Sequence, residues 1–211
     1  MAYKKELKQL TRLPYFDMGT LGNLLGIEGE TRRTYIKRAL KREDLMRLKR
    51  GWYVTKQYWE RESDKIAYGE FLANKLCEPS YLSLAYVLQK HAMISESVFA
   101  YTSITTNRKT EYLSQVGSFL YTNLKLELFD GYEVLQKRDY QIRQATKAKA
   151  LFDYLYMTTK SWRNVHKESI LGLRLNVEEM EKNDWDEFDK YVIGWGGRKM
   201  KKIRRLICSL L

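Results

Sequence analysis

Between Asp17 and Thr55 the sequence prescribes an order of elements that few folds accommodate. Leu21, Leu24 and Leu25 recur at helical spacing behind Asp17, a residue type that caps helix starts, and Gly26 stops the pattern. IEGE then reads as a short turn carrying Gly29, and TRRTYIKRALKRED predicts a second helix. Its buried stripe is Ile36, Ala39 and Leu40, with Arg33, Thr34, Lys37, Arg38 and Lys41 on the opposite side. LMRLKRGWYVT follows as two short runs hinged on Arg50 and Gly51, with Leu45 and Leu48 on one arm and Trp52 and Val54 on the other. Helix, tight turn, helix and basic hairpin together make a winged helix-turn-helix. Ahead of it, YKKELKQLTR places Leu7 and Leu10 three apart, a short amphipathic helix that Pro14 ends.

Charge follows the same partition. The chain of 211 residues carries +12, divided as +7 over residues 1–62, −1 over 63–193 and +6 over 194–211. A surplus kept only for solubility would be spread evenly, whereas two cationic blocks on either side of a neutral body point to a polyanion. From 31 to 50 there are nine basic residues and two acidic ones. In a winged helix-turn-helix the start of the second helix approaches base edges in the major groove. Thr31, Arg32, Arg33, Thr34 and Lys37 are therefore the expected base or near-base contacts. Arg38 suits the phosphate backbone, Lys41 and Arg42 complete the DNA-binding set of the helix, and Lys49 and Arg50 form the tip of the wing.

The body, 63–211, reads as a second domain after a first over 1–62. SDKIAYGEFLANKLC predicts a helix capped by Ser63 with Ile66, Ala67, Phe71 and Leu72 inward, and YLSLAYVLQKHAMI a second helix after Pro79. SVFAYTSITT is β-branched and aromatic, TEYLSQVGSFLYTNLK turns around Gly117, and GYEVLQKRDYQIRQAT turns near Lys137 to Asp139. TKAKALFDYLYMT is a helix opened by Thr146, with Ala150, Leu151, Tyr154 and Leu155 inward. The fold class is α+β: an N-terminal winged helix-turn-helix, then helices on a small antiparallel sheet, then C-terminal helices.

A basic winged helix ending in LKRGWYV, then PSYLSLAYVLQKHAMI, VFAYTSITTNRKTEY, GSFLYTNLK with LFDGYE, and IRQATKAKALFDYLY resembles the AbiEi antitoxins of bacterial type IV toxin-antitoxin systems. The likeness runs over roughly residues 15–158. It implies an autorepressor that binds inverted repeats of double-stranded operator DNA in its own promoter. It also implies an antitoxin that counters a nucleotidyltransferase toxin without a stable complex, conferring phage resistance by abortive infection. A monomer in solution with two copies on DNA is the expected state, with half-sites about one helical turn, ~10 bp, or a multiple of it apart.

Other chemistry has little support in the sequence. Neither His91 nor His166 has partners at ligand or triad spacing, and Cys77 and Cys208 offer no disulfide framework. GWGGRK at 194–199 lacks the spacing of a phosphate loop. Thr102 to Lys109 reads as a hydrogen-bonded strand end rather than a site, and Thr146, Lys147, Lys149 and Asp153 as a capped helix start. The acids of EEMEKNDWDEFD form the solvated face of a helix around Val177, Met180, Trp185 and Phe188. No apolar run reaches the ~18 residues of a membrane span, and no apolar h-region follows the basic start. The expectation is a reduced, cytoplasmic protein with neither metal nor cofactor and no enzymatic activity. Two rivals remain: a nucleic-acid-processing enzyme, or an RNA-associated protein, docking through the same basic block.

In the tail, Met200, Ile203, Ile207 and Leu210 recur at helical spacing, and Arg198, Lys199, Lys201, Lys202, Arg204 and Arg205 fill the rest. Such a helix packs on its predecessors and extends the DNA footprint, packs as a solvated face, or lies on an anionic membrane.

Overall fold

The computed structural model describes residues 8–209, so Leu7 and Leu210 of the expected amphipathic stripes lie outside the described residues. The protein is a mixed α+β fold. Its strands form a three-stranded sheet in the order β1-β3-β2 and a six-stranded sheet in the order β6-β7-β5-β4-β9-β8. Two compact units result, residues 1–69 with 111–118, and 70–110 with 119–211. The first cut falls inside helix 65–76, a few residues beyond the change of pattern at 63.

In the first unit, β1 (Phe16–Asp17) leads into α1 (Met18–Leu25), α2 (Gly29–Lys41), β2 (Leu45–Lys49), β3 (Trp52–Thr55) and α3 (Lys56–Arg61). Asp17 caps α1 by accepting from the Thr20 amide at 2.7 Å, and Gly26 ends it in the left-handed region at φ 62°. The α2 helix begins at Gly29 rather than Thr31, so the turn is shorter than IEGE suggests. The hairpin reverses at Arg50 and Gly51, with Gly51 at φ 79°, where a side chain would be strained. Leu10, Phe16, Leu21, Ile27, Ile36, Ala39, Leu45 and Tyr53 form one buried cluster, and Leu40 packs at its margin.

The second unit takes in most of α4 (Lys65–Leu76), then β4 (Ser80–Leu82), α5 (Leu84–Lys90), β5 (Ala100–Thr105), β7 (Ser118–Asn123), β8 (Tyr132–Lys137) and β9 (Tyr140–Ala145). The remaining edge strand of the larger sheet is β6 (Thr110–Leu113). Four helices follow: α6 (Lys147–Thr158), α7 (Lys167–Leu171), α8 (Lys182–Gly194) and α9 (Gly197–Cys208).

Four expectations need correcting. The cap of α4 is Asp64, which accepts from the Ala67 amide at 2.8 Å, not Ser63, and Ile66 is exposed because that face of α4 meets no core. Ser80, Tyr81 and Leu82 are strand, not helix: all three are buried, and β4 is an interior strand antiparallel to β5 and parallel to β9. The sheet is therefore mixed rather than antiparallel, because the chain crosses over between β4 and β9. The reading of Thr146 holds, since its side chain accepts from the Lys149 amide at 3.1 Å. So does the strand end at 102–109: the Thr105 hydroxyl donates to the Pro79 carbonyl at 2.7 Å and that of Thr102 to the Ser83 carbonyl at 2.6 Å.

Candidate nucleic-acid interface

The α2 helix is mounted by its predecessor. Gly22 lies where the helices meet: a Cβ there would come within 2.9 Å of the Ile27 carbonyl oxygen and 3.1 Å of the Arg32 side chain. Arg32 crosses this gap and donates from Nη1 to the Met18 carbonyl at 3.3 Å, while its buried Nε has no partner. It is thus half-buried and turned back toward α1, unlike the other basic residues of α2.

The rest face outward. Thr31, Arg33, Lys37, Arg38, Lys41 and Arg42 are exposed, and Thr34 is half-buried. Two hollows flank the helix. One of about 490 Å³ is lined by Ile27, Glu30, Thr31, Thr34, Tyr35, Arg38 and Arg42. The other, about 380 Å³, lies between α2 and the hairpin, where Arg33 and Lys37 face Arg47. Arg33 pairs with Glu30 at 3.5 Å and Arg42 with Asp44 at 2.9 Å, both in the open, where such pairs are weak and exchange readily for a stronger anion. Among the described residues no carboxylate pairs with Lys37, Arg38 or Lys41.

At the hairpin, Lys49 lies over the Trp52 ring at 4.4 Å, and Trp52 stacks on Tyr15 at 4.9 Å. That contact half-buries Lys49 and leaves Arg50 as the exposed cation of the turn. The start of α1 is fixed to the same turn by the Met18 amide, which donates to the Gly51 carbonyl at 3.2 Å. Asp17 beneath it is held below the usual carboxylate range, chiefly by the Thr20 amide.

The six tail cations do not act alike. Lys199 donates to the carbonyls of Thr159, Lys160 and Trp162 at 2.9, 3.3 and 2.8 Å, satisfying acceptors just past the end of α6. Arg204 forks onto Asp189 at 2.7 and 3.2 Å and lies 4.2 Å over the Trp185 ring. Arg198, Lys201, Lys202 and Arg205 are exposed.

The second unit contains two buried charge clusters that the sequence pattern does not single out as clusters. Asp153 accepts from Tyr81 at 3.0 Å and Ser83 at 2.8 Å on Oδ2, and from Lys149 on Oδ1. Both ions are fully buried, and the Lys149 ammonium is surrounded by the rings of Tyr81, Phe152, Tyr191 and Trp195. The cluster joins the stretch that ends β4 to α6 and is sealed from solvent. Burial pushes the Asp153 carboxyl up, against the pull of Lys149. In the other cluster buried Glu70 receives hydrogen bonds from Tyr86, Lys90 and Lys137. The helical spacing of Lys149 and Asp153 was the available signal for the first; nothing local announces the second. His91 is half-buried, and burial holds it below its ordinary value. Among the described residues no group of three His, Cys, Asp or Glu side chains is placed to hold a metal ion, and no helix is long and apolar enough to cross a membrane.

Compared with protein-family models and with curated proteins, the chain matches none.

Proposed function

We propose that residues 16–55 are a winged helix-turn-helix that binds double-stranded DNA, with α2 in the major groove and the β2–β3 turn on the flanking backbone. The observation that carries this reading is the outward set Thr31, Arg33, Lys37, Arg38 and Lys41 on a helix clasped to its predecessor by Arg32, beside a hairpin whose turn exposes Arg50. Thr31, Arg33, Thr34 and Lys37 are the base-proximal residues; Arg38, Lys41, Arg42 and Arg50 hold phosphates. Arg32 positions the helix instead, and Lys49 reaches the duplex only from its seat on Trp52.

The resemblance to the AbiEi antitoxins gives the wider role: a cytoplasmic autorepressor on inverted repeats of its own promoter that counters a nucleotidyltransferase toxin. A gel shift on the gene's own upstream region tests the operator contact. The protein should bind there far more tightly than to random duplex at ~150 mM salt, and equal affinity for both overturns it. Co-expression with a nucleotidyltransferase encoded next to the gene tests the antitoxin role by restored growth. The sealed Lys149–Asp153 cluster offers no site to the enzyme reading.

A further inference from the structure

We infer that the open edge of β8 is a docking surface for a second copy of this chain, the two β8 strands pairing antiparallel about Leu135 so that each Glu133 meets the other copy's Lys137. β8 ends the six-stranded sheet, and among the described residues β9 alone pairs with it. An edge strand presents a row of backbone N–H and C=O groups to whatever lies alongside, and folds commonly blunt it with a proline, a bulge or an outward lysine. β2, at an edge of the smaller sheet, has such an irregularity between Arg47 and Lys49. β8 has six residues, no proline and an unbroken register from Tyr132 to Lys137. Its lysine turns inward: Lys137 and Lys90 both donate to Glu70, at 2.5 and 2.6 Å. Val134 is 59% exposed, and with Gln136, Gln141 and Arg143 it lines an open hollow of about 490 Å³.

Charge complementarity names the occupant and the register. Two antiparallel self-pairings keep every side chain on its own face and align five of the six residues, one about Val134 and one about Leu135. Pairing about Val134 sets Glu133 against Leu135 and leaves Lys137 beyond the partner strand. Pairing about Leu135 sets Glu133 against Lys137 and Val134 against Gln136, and the two-fold axis makes each contact twice. Glu133 is exposed, and among the described residues no cation lies within salt-bridge distance of it. The Lys137 ammonium has three protons to donate, so it can hold Glu70 and a second carboxylate together. Lys90 on the same Glu70 is a like charge beside it, which the incoming Glu133 offsets. One short strand buries little area, so the pair parts on dilution, and the monomer expected from the sequence is its dilute form.

The test is sedimentation equilibrium of the full chain without DNA, from ~5 μM to ~1 mM, so its outcome does not depend on the operator reading. The wild type should pass from monomer to dimer within that range. Glu133→Lys, at an exposed position, should weaken the association roughly tenfold or more with its thermal midpoint kept, because two attractive pairs become repulsive. Cross-linking reads the register. In a Cys208→Ser background, where the remaining Cys77 is buried, Val134→Cys and Gln136→Cys chains mixed under mild oxidation should join each other faster than either joins itself. Residues directly opposite in such a pair lie ~4.5–5.5 Å apart at Cα, within disulfide reach. A wild type that stays monomeric up to ~1 mM overturns the inference. So does a Glu133→Lys variant that associates as tightly as the wild type, or a Val134→Cys chain that joins itself faster than it joins Gln136→Cys.

Discussion

Helices α2 and α9 carry similar loads of lysine and arginine and distribute them in opposite ways along the axis. In α2 the acid Glu30 occupies the first turn and Arg38 and Lys41 the last, which suits the helix dipole. In α9 the first turn has no acid, and Arg198 and Lys199 sit close to the positive end. Only Lys199 there is compensated, by the three carbonyls it reaches. Much of the charge on α2 would thus stabilise the helix even in a protein that binds nothing, so its functional reading depends on exposure and on the neighbouring hairpin. The outer charge on α9 has no such internal reason. A count of basic residues treats the two helices alike, whereas their geometry does not.

The largest expected effect separates reading from mounting in α2. Arg33→Ala combined with Lys37→Ala should lower operator affinity by a few kcal/mol, at about 1–3 for each base contact, with little change in thermal midpoint. Titration of labelled operator at fixed salt measures it, and an unchanged affinity removes the first half of α2 from the interface. Next in size is the division within α9. Lys199→Met should cost about 1.5–3 kcal/mol in urea unfolding, because its charge-assisted bonds to carbonyls disappear, while Lys202→Met should cost almost nothing. Equal costs would break the distinction between inner and outer cations.

A third prediction concerns Glu70, where lysines likewise turn inward. Burial pushes this carboxyl up, but hydrogen bonds from Lys137, Lys90 and Tyr86 together hold it below the ordinary value of 4.5. A carboxylate lowered by folding stabilises above its unfolded value and loses that contribution as pH falls through its folded one. Stability should therefore decline below about pH 4.5, and Glu70→Gln should flatten that acid limb in denaturant titrations at several pH values. An identical limb in the variant would assign the acid loss to other groups. The smallest effect tests the dipole argument directly. Arg198→Glu should raise stability by about 0.3–1 kcal/mol, and Glu30→Lys should lower it by a similar amount. If both shift stability the same way, the contrast between the helices has another cause.

Local chemistry was legible in the sequence where partners lie within a few residues. The Asp17 cap, the Gly26 stop, the turn at Arg50 and Gly51 and the Thr146 cap all appear where the residue types place them. Legibility failed where the partner is distant. Ser80 to Leu82 are strand because β5 and β9 flank them, and nothing within the segment specifies neighbours more than twenty residues away. The directions of Arg32, Lys199 and Arg204 depend on Met18, on the carbonyls after α6 and on Asp189. Long flexible side chains with a charged end can serve a surface or a clasp, and periodicity separates the two only when, as in α9, the buried face is also continuous.

The sealed pair of Lys149 and Asp153 has a consequence for how the second unit finds its arrangement. Asp153 is reached by Tyr81 and Ser83 from 72 and 70 positions away, both from the stretch that ends β4. Tyr81 and Ser83 are two apart and so share one side of the extended chain, which ends at Ser83; a slip of one residue would turn Leu82 toward the carboxylate instead. Slipped pairings would then leave the buried carboxylate with Lys149 as its donor and without its two hydroxyl donors, at about 1.5–3 kcal/mol for each bond to the charged group, so the cluster acts as an alignment key for β4 against α6. For the same reason neither ion can be exchanged alone without penalty, and replacing both together by apolar residues would still leave the buried Tyr81 and Ser83 hydroxyls without their acceptor.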